Sequence, residues 1–350
     1  MKDFLTKEVL TQRIGHLVPI LNDKIYLFEE YYDLYYLTGL KLSKGTLLVG
    51  SQIALFVDAR YEEIAKKKCP WPVYALSEEV IKKWLQECAE KKLYFDGLKT
   101  SYDRYVFWHK LTQVLNKELI AEHSPLQAIR MIKSDQELEA LEHSAHLLVK
   151  GFSYIKSLLK EGVTELQVAK AFEIFCLEQG AQKLSFEPII AFGENSAMPH
   201  YRSGSTRLNL PTVVLIDIGV TLNDYASDMT RTLLLGEVDP KLFEIYNVVK
   251  DTHDRVLQHV KPGVSIRFLD EFARNCIQNY PILHALGHGI GLEVHEYPRI
   301  SIQSLEDTIL QKNMVITIEP GIYIPGLGGV RYEDTVVLQE NGFKNFYNKL

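Results

Sequence analysis

The chain has 350 residues, enough for two domains, and its 46% hydrophobic and 24% charged residues are ordinary for a globular protein. Its net charge is −6 and its basic residues are interspersed among acids, which excludes the basic surface typical of nucleic-acid-binding proteins. No apolar run approaches the length of a membrane span, and the N-terminus lacks the apolar segment of a secretory signal. We therefore expect a cytoplasmic protein with neither a nucleic-acid nor a membrane partner.

The cysteines point to the same compartment. They are widely spaced, and no pair forms a C-x-x-C motif. This pattern predicts free thiols in a reducing environment rather than a disulfide or zinc framework. The four are Cys69, Cys88, Cys176 and Cys276.

The first part of the chain predicts an alternating α/β unit. Such alternation is typical of a sheet covered by helices. Its predicted elements are two strands within 46–58, helices at 60–68 and 78–90, and another strand at 92–95. We expect this N-terminal α/β domain to occupy residues 1–123 and a larger catalytic domain to occupy residues 124–350.

The second part begins with a connection over 124–133 and a long amphipathic helix. Ser134 starts a Ser-Asp-Gln-Glu sequence that predicts a capping box, and Thr164 predicts the cap of a second helix that ends near Gly180. The later predicted elements are strands at 185–192, 212–218 and 225–235, helices near 240–260 and 266–279, and a strand-rich segment over 283–340.

Two acids lie on the arms of the hairpin predicted between residues 212 and 235. Asp217 belongs to VVLIDIGV and Asp228 to YASDMTRT, and a turn centred on Leu222 and Asn223 would place the acids opposite each other. Opposed residues on one face of a sheet have Cβ atoms roughly 4.5–5.5 Å apart. Two carboxylates at that distance repel, which indicates a cation between them.

A second predicted hairpin repeats the arrangement. Glu319 in VITIEPGIY and Glu333 in VRYEDTVVL are equally far from Gly326, so we expect them to face each other. The strands are apolar nearly throughout and predict burial, where an unpaired carboxylate is very costly. The acids are therefore protonated, bound to metal, or paired with arginines, for which Arg231 and Arg331 are the candidates.

A glycine-rich stretch, HALGHGIGLEVHE, carries His284, His288 and His295. Its glycines predict a strand or loop whose backbone is closely approached, not a helical zinc site. Three histidines beside four acids suit one metal ligand and two substrate or proton-transfer groups. A phosphate-binding loop is disfavoured because the full glycine spacing, the preceding strand and the downstream acid are missing. His200, in ENSAMPHYRSG, is a further candidate.

Carboxylate-rich ligands with one imidazole and no thiolate suit Mn, Co, Fe or Zn. Two such ions, about 3.5–4 Å apart, can hold a bridging water, lower its pKa and polarise a carbonyl. Amide hydrolysis is the natural reaction class. Phosphoester hydrolysis is the competitor, and the lack of a basic clamp beyond Arg231 and Arg331 disfavours it.

Together these motifs resemble the pita-bread metallopeptidases, the group of methionine aminopeptidase, Xaa-Pro aminopeptidase and prolidase. The motifs are NSAMPHY, LIDIGV, YASDMTRT, HALGHGIGLEVHE, TIEPGIYIPG and GVRYED, in that order. The resemblance implies a pita-bread catalytic domain with two divalent metal ions, manganese being our first expectation. The implied ligands are Asp217 on one metal, Asp228 and Glu333 bridging both, and His288 and Glu319 on the other.

The resemblance also implies roles beyond metal binding. Glu319 would take a proton from the bridging water, and His200 and His295 would contact the substrate and stabilise the tetrahedral intermediate. His284 would support them, and Arg331 would order the surroundings of the centre.

The N-terminal segments YYDLYYLTGL and FVDARYEEIA resemble the extra domain of Xaa-Pro aminopeptidases, prolidases and creatinases, which plain methionine aminopeptidases lack. Because all five ligand types are present, a creatinase and a catalytically silent binding relative are disfavoured. The resemblance implies an Xaa-Pro aminopeptidase acting on peptides with proline at the second position, with an Xaa-Pro dipeptidase (prolidase) as the alternative. Related enzymes are commonly dimers, so we expect a homodimer.

Overall fold

The computed structural model describes residues 5–277 and 279–348. The chain divides into two compact units, one up to Ile129 and the other from Arg130 onward. Both units mix helices and strands, so the α/β class predicted from the sequence is confirmed. Among the described residues, every helix is too short or too polar to span a membrane.

The N-terminal unit is built on one six-stranded sheet. Its strands are Ile25–Phe28 (β1), Gly45–Val49 (β2), Ile53–Val57 (β3), Val73–Ala75 (β4), Lys92–Asp96 (β5) and Glu118–Glu122 (β6), in the order β4-β3-β2-β1-β5-β6. Its helices are Lys7–Leu21 (α1), Tyr31–Thr38 (α2), Glu62–Lys68 (α3), Glu78–Glu87 (α4) and Tyr102–Val114 (α5). β1, β5 and β6 run parallel, whereas β2 is antiparallel to its neighbours. The predicted alternation of strands and helices is confirmed.

The helices of the C-terminal unit begin where capping residues predict. The Ser134 hydroxyl accepts a hydrogen bond from the Glu137 N–H, and the Glu137 carboxylate accepts one from the Ser134 N–H; Thr164 and Gln167 repeat this box. The helices are Asp135–Ser157 (α7), Glu165–Glu178 (α8), Pro240–Leu257 (α9) and Ile266–Cys276 (α10). A short helix, Leu126–Met131 (α6), lies within the segment predicted as a connection. The helix predicted over 266–279 ends earlier, and residue 278 lies outside the described residues.

Among the described residues, the strands of the C-terminal unit form four sheets. They are Lys183–Leu184 (β7), Ile189–Phe192 (β8), Thr212–Ile218 (β9), Val220–Leu222 (β10), Tyr225–Ala226 (β11), Met229–Leu235 (β12), Gly287–Gly289 (β13), Glu296–Ile300 (β14), Val315–Ile318 (β15), Gly321–Ile324 (β16), Gly328–Arg331 (β17), Asp334–Gln339 (β18) and Gly342–Asn345 (β19). The sheet orders are β11-β10-β7, β12-β9-β8, β14-β13-β15-β18-β19 and β16-β17. Apolar side chains of α9 and α10 cover β15 and β18, so one helical layer backs the largest of these sheets.

The register of the first hairpin differs from the prediction. Asp217 pairs with Thr230 and not with Asp228. The turn lies at Asn223 and Asp224, whose φ angles are 52° and 68°, one residue later than expected. Asparagine and aspartate tolerate the left-handed conformation, so they occupy the turn. Each residue of the first strand therefore pairs with a residue two positions later than predicted. Asp228 consequently lies in a break between β11 and β12.

The register of the second hairpin is as predicted. The β16–β17 ladder is symmetric about Gly326, whose φ is 77°, and further out Ile318 pairs with Asp334 in the same register. Glu319 and Glu333 lie between these two ladders, at positions that the shared register sets opposite each other. The prediction succeeds here because the glycine occupies the turn position that needs a positive φ.

Candidate active site

All nine residues predicted from the sequence as metal ligands or catalytic groups line one cavity of about 660 Å³ in the C-terminal unit. The structure therefore brings together side chains that are more than 130 positions apart in the chain. The nine are His200, Asp217, Asp228, His284, His288, His295, Glu319, Arg331 and Glu333.

The most compact group in the cavity consists of Asp228, His288 and Glu333. Each offers one potential ligand atom, and these atoms lie within 4.8 Å of one another. The Nε2 of His288 is 3.5 Å from Oδ2 of Asp228 and 3.7 Å from Oε1 of Glu319. Glu319 thus adjoins the same group from the end of β15.

The acids of this group carry more negative charge than the surrounding protein neutralises. Burial, and then the neighbouring carboxylates, raise the pKa of Asp228 and of Glu333 well above their usual ranges, and burial raises the pKa of Glu319 to about 8. Among the described residues, Oδ1 of Asp217, Oδ1 of Asp228 and Oε1 of Glu333 are buried without a hydrogen-bond donor. Carboxylate oxygens without donors, beside an imidazole, fit divalent metal ions.

His288 is oriented so that one ring nitrogen faces the acids. Its Nδ1 lies 3.0 Å from the carbonyl oxygen of Gly289, to which it donates, and its backbone N–H donates to Oγ1 of Thr317. The other nitrogen, Nε2, is therefore an acceptor directed at Asp228. Burial lowers the pKa of His288 to about 3, so the ring is neutral, as a metal ligand requires.

The glycines beside His288 permit a close backbone approach. A Cβ atom on Gly287 would lie 2.0 Å from the carbonyl oxygen of Thr317, and one on Gly289 would lie 2.1 Å from that of Tyr297. Any larger residue at either position would push β13 away from β15 or β14. The closely approached backbone predicted from the glycine spacing is thus present, and it places His288 in the cavity wall.

Arg331 contacts one of the four acids directly. Its Nη2 lies 2.5 Å from Oδ2 of Asp217, whereas Arg231 pairs with Asp334 at 2.6 Å. Among the described residues, Asp228, Glu319 and Glu333 make no ion pair with lysine or arginine. The salt-bridge alternative left open by the sequence therefore applies to Asp217 alone.

The same guanidinium organises two neighbours that sequence reasoning missed, Tyr323 and Thr230. Nη1 donates to the Tyr323 hydroxyl at 2.6 Å, and that hydroxyl is 2.9 Å from Nε2 of His284. Nε donates to Oγ1 of Thr230, which in turn donates to Oε2 of Glu333 at 2.8 Å. A correct register for the first hairpin would have revealed Thr230 opposite Asp217, but nothing in the sequence alone points to Tyr323.

The three remaining histidines of the cavity differ in their exposure to solvent. His284 donates from Nδ1 to the carbonyl oxygen of Ala285, and burial, followed by the charge of Arg331, lowers its pKa to about 4. His200 and His295 are exposed within the cavity lining, and the His295 ring lies 4.4 Å from that of His288. A molecule that enters the cavity can reach these two imidazoles.

Two family models match the chain. The model of metallopeptidase family M24 matches residues 139–340, and that of the creatinase/prolidase N-terminal domain matches residues 20–132. The chain belongs to metallopeptidase family M24, in its Xaa-Pro aminopeptidase and prolidase group, and its C-terminal unit has the pita-bread fold. Enzymes of this family use two divalent metal ions, and the carboxylate and histidine group described above is a candidate site for them.

Individual relatives are similar over nearly their whole length. The Xaa-Pro dipeptidase of Pyrococcus furiosus is 35% identical over 350 residues, which cover 96% of this chain and 97% of the relative. The structure of an Xaa-Pro dipeptidase from Bacillus anthracis has a TM-score of 0.90 at 30% identity, covering 99% of this chain and 98% of that one. The X-Pro aminopeptidase from Thermotoga maritima has a TM-score of 0.85 at 28% identity, covering 97% and 98%.

Proposed function

We propose that this peptidase hydrolyses the bond between an N-terminal residue and proline, and that dipeptides are its preferred substrates. The observation that carries the proposal is the buried cluster of Asp228, Glu333 and His288, which has the ligand types of a divalent-metal site and lies in the wall of a large cavity. The names of the similar dipeptidases and aminopeptidase support the choice of an Xaa-Pro bond.

We assign the metal ligands as the resemblance implies. Asp217 would hold one ion, Asp228 and Glu333 would lie between the two, and His288 and Glu319 would hold the other. When bound, the ions would polarise the scissile carbonyl and lower the pKa of water.

The other side chains would bind substrate and move protons. Glu319 would accept a proton from the water and pass it on. His200 and His295, exposed in the cavity lining, would hydrogen-bond the carbonyl oxygen of the scissile bond. Arg331 would keep Asp217 and Tyr323 in position, with His284 supporting Tyr323.

Apolar and aromatic side chains in the cavity suit the pyrrolidine ring. Proline offers no amide N–H to a peptidase that relies on a backbone hydrogen bond, so it is recognised by shape and burial. The cavity lining supplies such surfaces from Phe186, Ile189, Val294 and Tyr297. These residues are our proposed contacts for the ring.

Arg299 is the reason that we place dipeptides first. Its side chain is exposed, lines the cavity, and makes no ion pair among the described residues. A dipeptide presents a carboxylate one residue beyond the scissile bond, and a guanidinium binds a carboxylate with two parallel hydrogen bonds. Of the other two arginines that line the cavity, Arg202 has Glu187 at 3.8 Å and Arg331 pairs with Asp217.

An Xaa-Pro aminopeptidase is the second candidate. The likeness to the Thermotoga maritima enzyme and the size of the cavity favour it, since about 660 Å³ can also hold a longer peptide. In that case Arg299 would lie beside the peptide chain without a carboxylate to bind.

An assay on matched substrates distinguishes the dipeptidase from the aminopeptidase. Protein stripped of metal and refilled with Mn, Co, Zn or Fe is assayed on Leu-Pro, its amide Leu-Pro-NH₂, and Leu-Pro-Ala. Preference for Leu-Pro over its amide, lost in Arg299→Gln, is the expected result. Preference for the tripeptide, unchanged in Arg299→Gln, would establish the aminopeptidase. No cleavage of any substrate with any metal would contradict both.

Manganese as the native metal, a homodimer and a cytoplasmic location are further proposals, carried by the family resemblance and by composition. Metal analysis of protein purified without added metal, analytical ultracentrifugation and cell fractionation measure them.

A further inference from the structure

A buried carboxylate outside the metal-ligand set binds the segment that carries His200. We call residues 193–206, which follow β8, the His200 loop. Glu165, the first residue of α8, has 0% of its surface exposed. It accepts four hydrogen bonds: Oε1 from the Phe192 N–H at 2.8 Å and Nδ2 of Asn195 at 2.9 Å, and Oε2 from the Tyr201 hydroxyl at 2.7 Å and the Gly204 N–H at 3.0 Å.

These donors take the place of a counter-ion. Among the described residues, Glu165 makes no ion pair with lysine, arginine or histidine. A buried carboxylate in that situation is stabilised by hydrogen-bond donors alone, and each such bond is stronger than one between neutral groups. Because Asn195, Tyr201 and Gly204 all belong to the His200 loop, the carboxylate joins its beginning, middle and end to α8.

The loop segment fixed in this way is a wall of the cavity. Pro199, His200, Tyr201 and Arg202 line it. The Tyr201 ring packs against the buried cluster that contains Ile189, while its hydroxyl reaches Glu165. The hydrogen bond to Glu165 is thus made by the residue that directly follows His200 in the chain.

We infer that Glu165 is a positioning residue for catalysis: it contacts no substrate, and it acts by holding His200 and Tyr201 at the cavity surface. This inference rests on the proposed function, in which His200 binds the scissile carbonyl. Glutamine at position 165 has the same shape but presents an NH₂ group where the carboxylate accepts hydrogen bonds. The donors to the replaced oxygen, Asn195 and Phe192 at Oε1 or Tyr201 and Gly204 at Oε2, would then face an NH₂ group, and the loop would move.

The test compares Glu165→Gln with Glu173→Gln, an exposed glutamate on the same helix. We expect Glu165→Gln to lower kcat on Leu-Pro by about 10- to 100-fold, since a shift of roughly 1 Å in a catalytic group has an effect of that size. Metal content should stay at the wild-type value. Hydrogen exchange of backbone amides in residues 193–206 should accelerate in Glu165→Gln and not in Glu173→Gln.

Coupling to His200 distinguishes positioning from a general loss of structure. In a His200→Ala background, Glu165→Gln should lower kcat by less than about threefold further, because the group that it positions is already gone. Tyr201→Phe, which removes one donor and leaves the carboxylate, should give a smaller loss than Glu165→Gln. It also provides the comparison if Glu165→Gln does not fold.

Three outcomes would overturn the inference: wild-type kcat in Glu165→Gln, loss of metal in parallel with activity, or full additivity with His200→Ala. Failure of the proposed function would look different, since the wild-type protein would cleave none of the proline peptides. The exchange comparison would still decide whether Glu165 holds the loop.

Discussion

Two glutamates of the C-terminal unit, with side chains 5% and 18% exposed, have opposite electrostatic surroundings. Burial alone would raise the pKa of Glu296, yet Arg130 at 2.6 Å and Lys133 at 3.4 Å lower it to about 2. For Glu319, burial raises the pKa to about 8, and the charge of Arg331 opposes the rise only in part. Glu296 is paired with Arg130 and Lys133, whereas Glu319 makes no ion pair with lysine or arginine in the part of the chain that the structure describes.

The difference separates a structural ion cluster from a functional site. Arg130, Lys133, Glu293 and Glu296 form a group of two cations and two carboxylates that pair with one another, so the cost of removing its buried members from water is offset within the group. Among the described residues, Asp228, Glu319 and Glu333 have no lysine or arginine counter-ion, in keeping with the metal site that we propose. Burial of an acid by itself therefore indicates nothing about function in this protein, whereas burial without a counter-ion does.

The largest expected effect concerns the carboxylates that lack counter-ions. Asp228→Asn removes a charge that we assign to both metal ions, so activity should fall below about 1% of wild type and bound metal should decrease. Peptidase assays and metal analysis by mass spectrometry measure both. Asp251→Asn, on the exposed face of α9, is the control. Full activity with two metals retained would contradict the ligand assignment.

For Glu296, which is paired with Arg130 and Lys133, the expected effect of substitution is on stability. Glu296→Gln leaves the buried Lys133 ammonium without its counter-ion, which should lower the free energy of unfolding by about 3–5 kcal/mol. Urea denaturation at pH 7 measures it, with the exposed Glu306→Gln as the control. A loss below about 1 kcal/mol would mean that the ion cluster is not what distinguishes Glu296 from Glu319.

The pH dependence of the stability of metal-free protein compares Glu319 and Glu296 in one measurement. Because the folded-state pKa of Glu319 is raised to about 8, its contribution to stability is full below the unfolded pKa of about 4.3 and is lost as the pH rises toward 8. Asp228 and Glu333 shift in the same direction. The depressed pKa of Glu296 acts in the opposite sense, and its contribution is lost only as the pH falls toward 2.

We therefore expect metal-free protein to lose about 2–4 kcal/mol of stability between pH 5 and pH 8, and added Mn²⁺ to restore most of it at pH 8. Denaturation series at several pH values, with chelator or with metal, measure the change. Metal-free stability that is flat or rises over this interval would contradict the raised pKa values.

The smallest expected effect concerns a cavity residue outside both charge groups. His295→Ala removes an exposed imidazole that we assign to the substrate, so kcat should fall by about 10- to 100-fold while metal content stays near that of wild type. Steady-state kinetics and metal analysis test this. Loss of metal in the variant would instead make His295 a ligand.

The amino-acid sequence by itself predicted most of the helices and strands and the residues that line the cavity. Capping boxes at Ser134 and Thr164 mark helix starts because they satisfy backbone N–H groups locally, and Gly326 centres its hairpin because it adopts a positive φ at little cost. Carboxylates in apolar strands, with histidines among glycines, indicated the metal chemistry. Each of these signals depends only on a few neighbouring residues.

The tertiary structure alone decided which side chains meet. Asp228 lies in the break between β11 and β12, and it meets His288 and Glu333, which come from segments distant in the chain. Likewise, nothing in the sequence alone marks Tyr323 or Glu165 as a functional residue. Their roles arise from contacts with Arg331 and with the His200 loop, formed between segments distant in the chain, and no local pattern encodes such contacts.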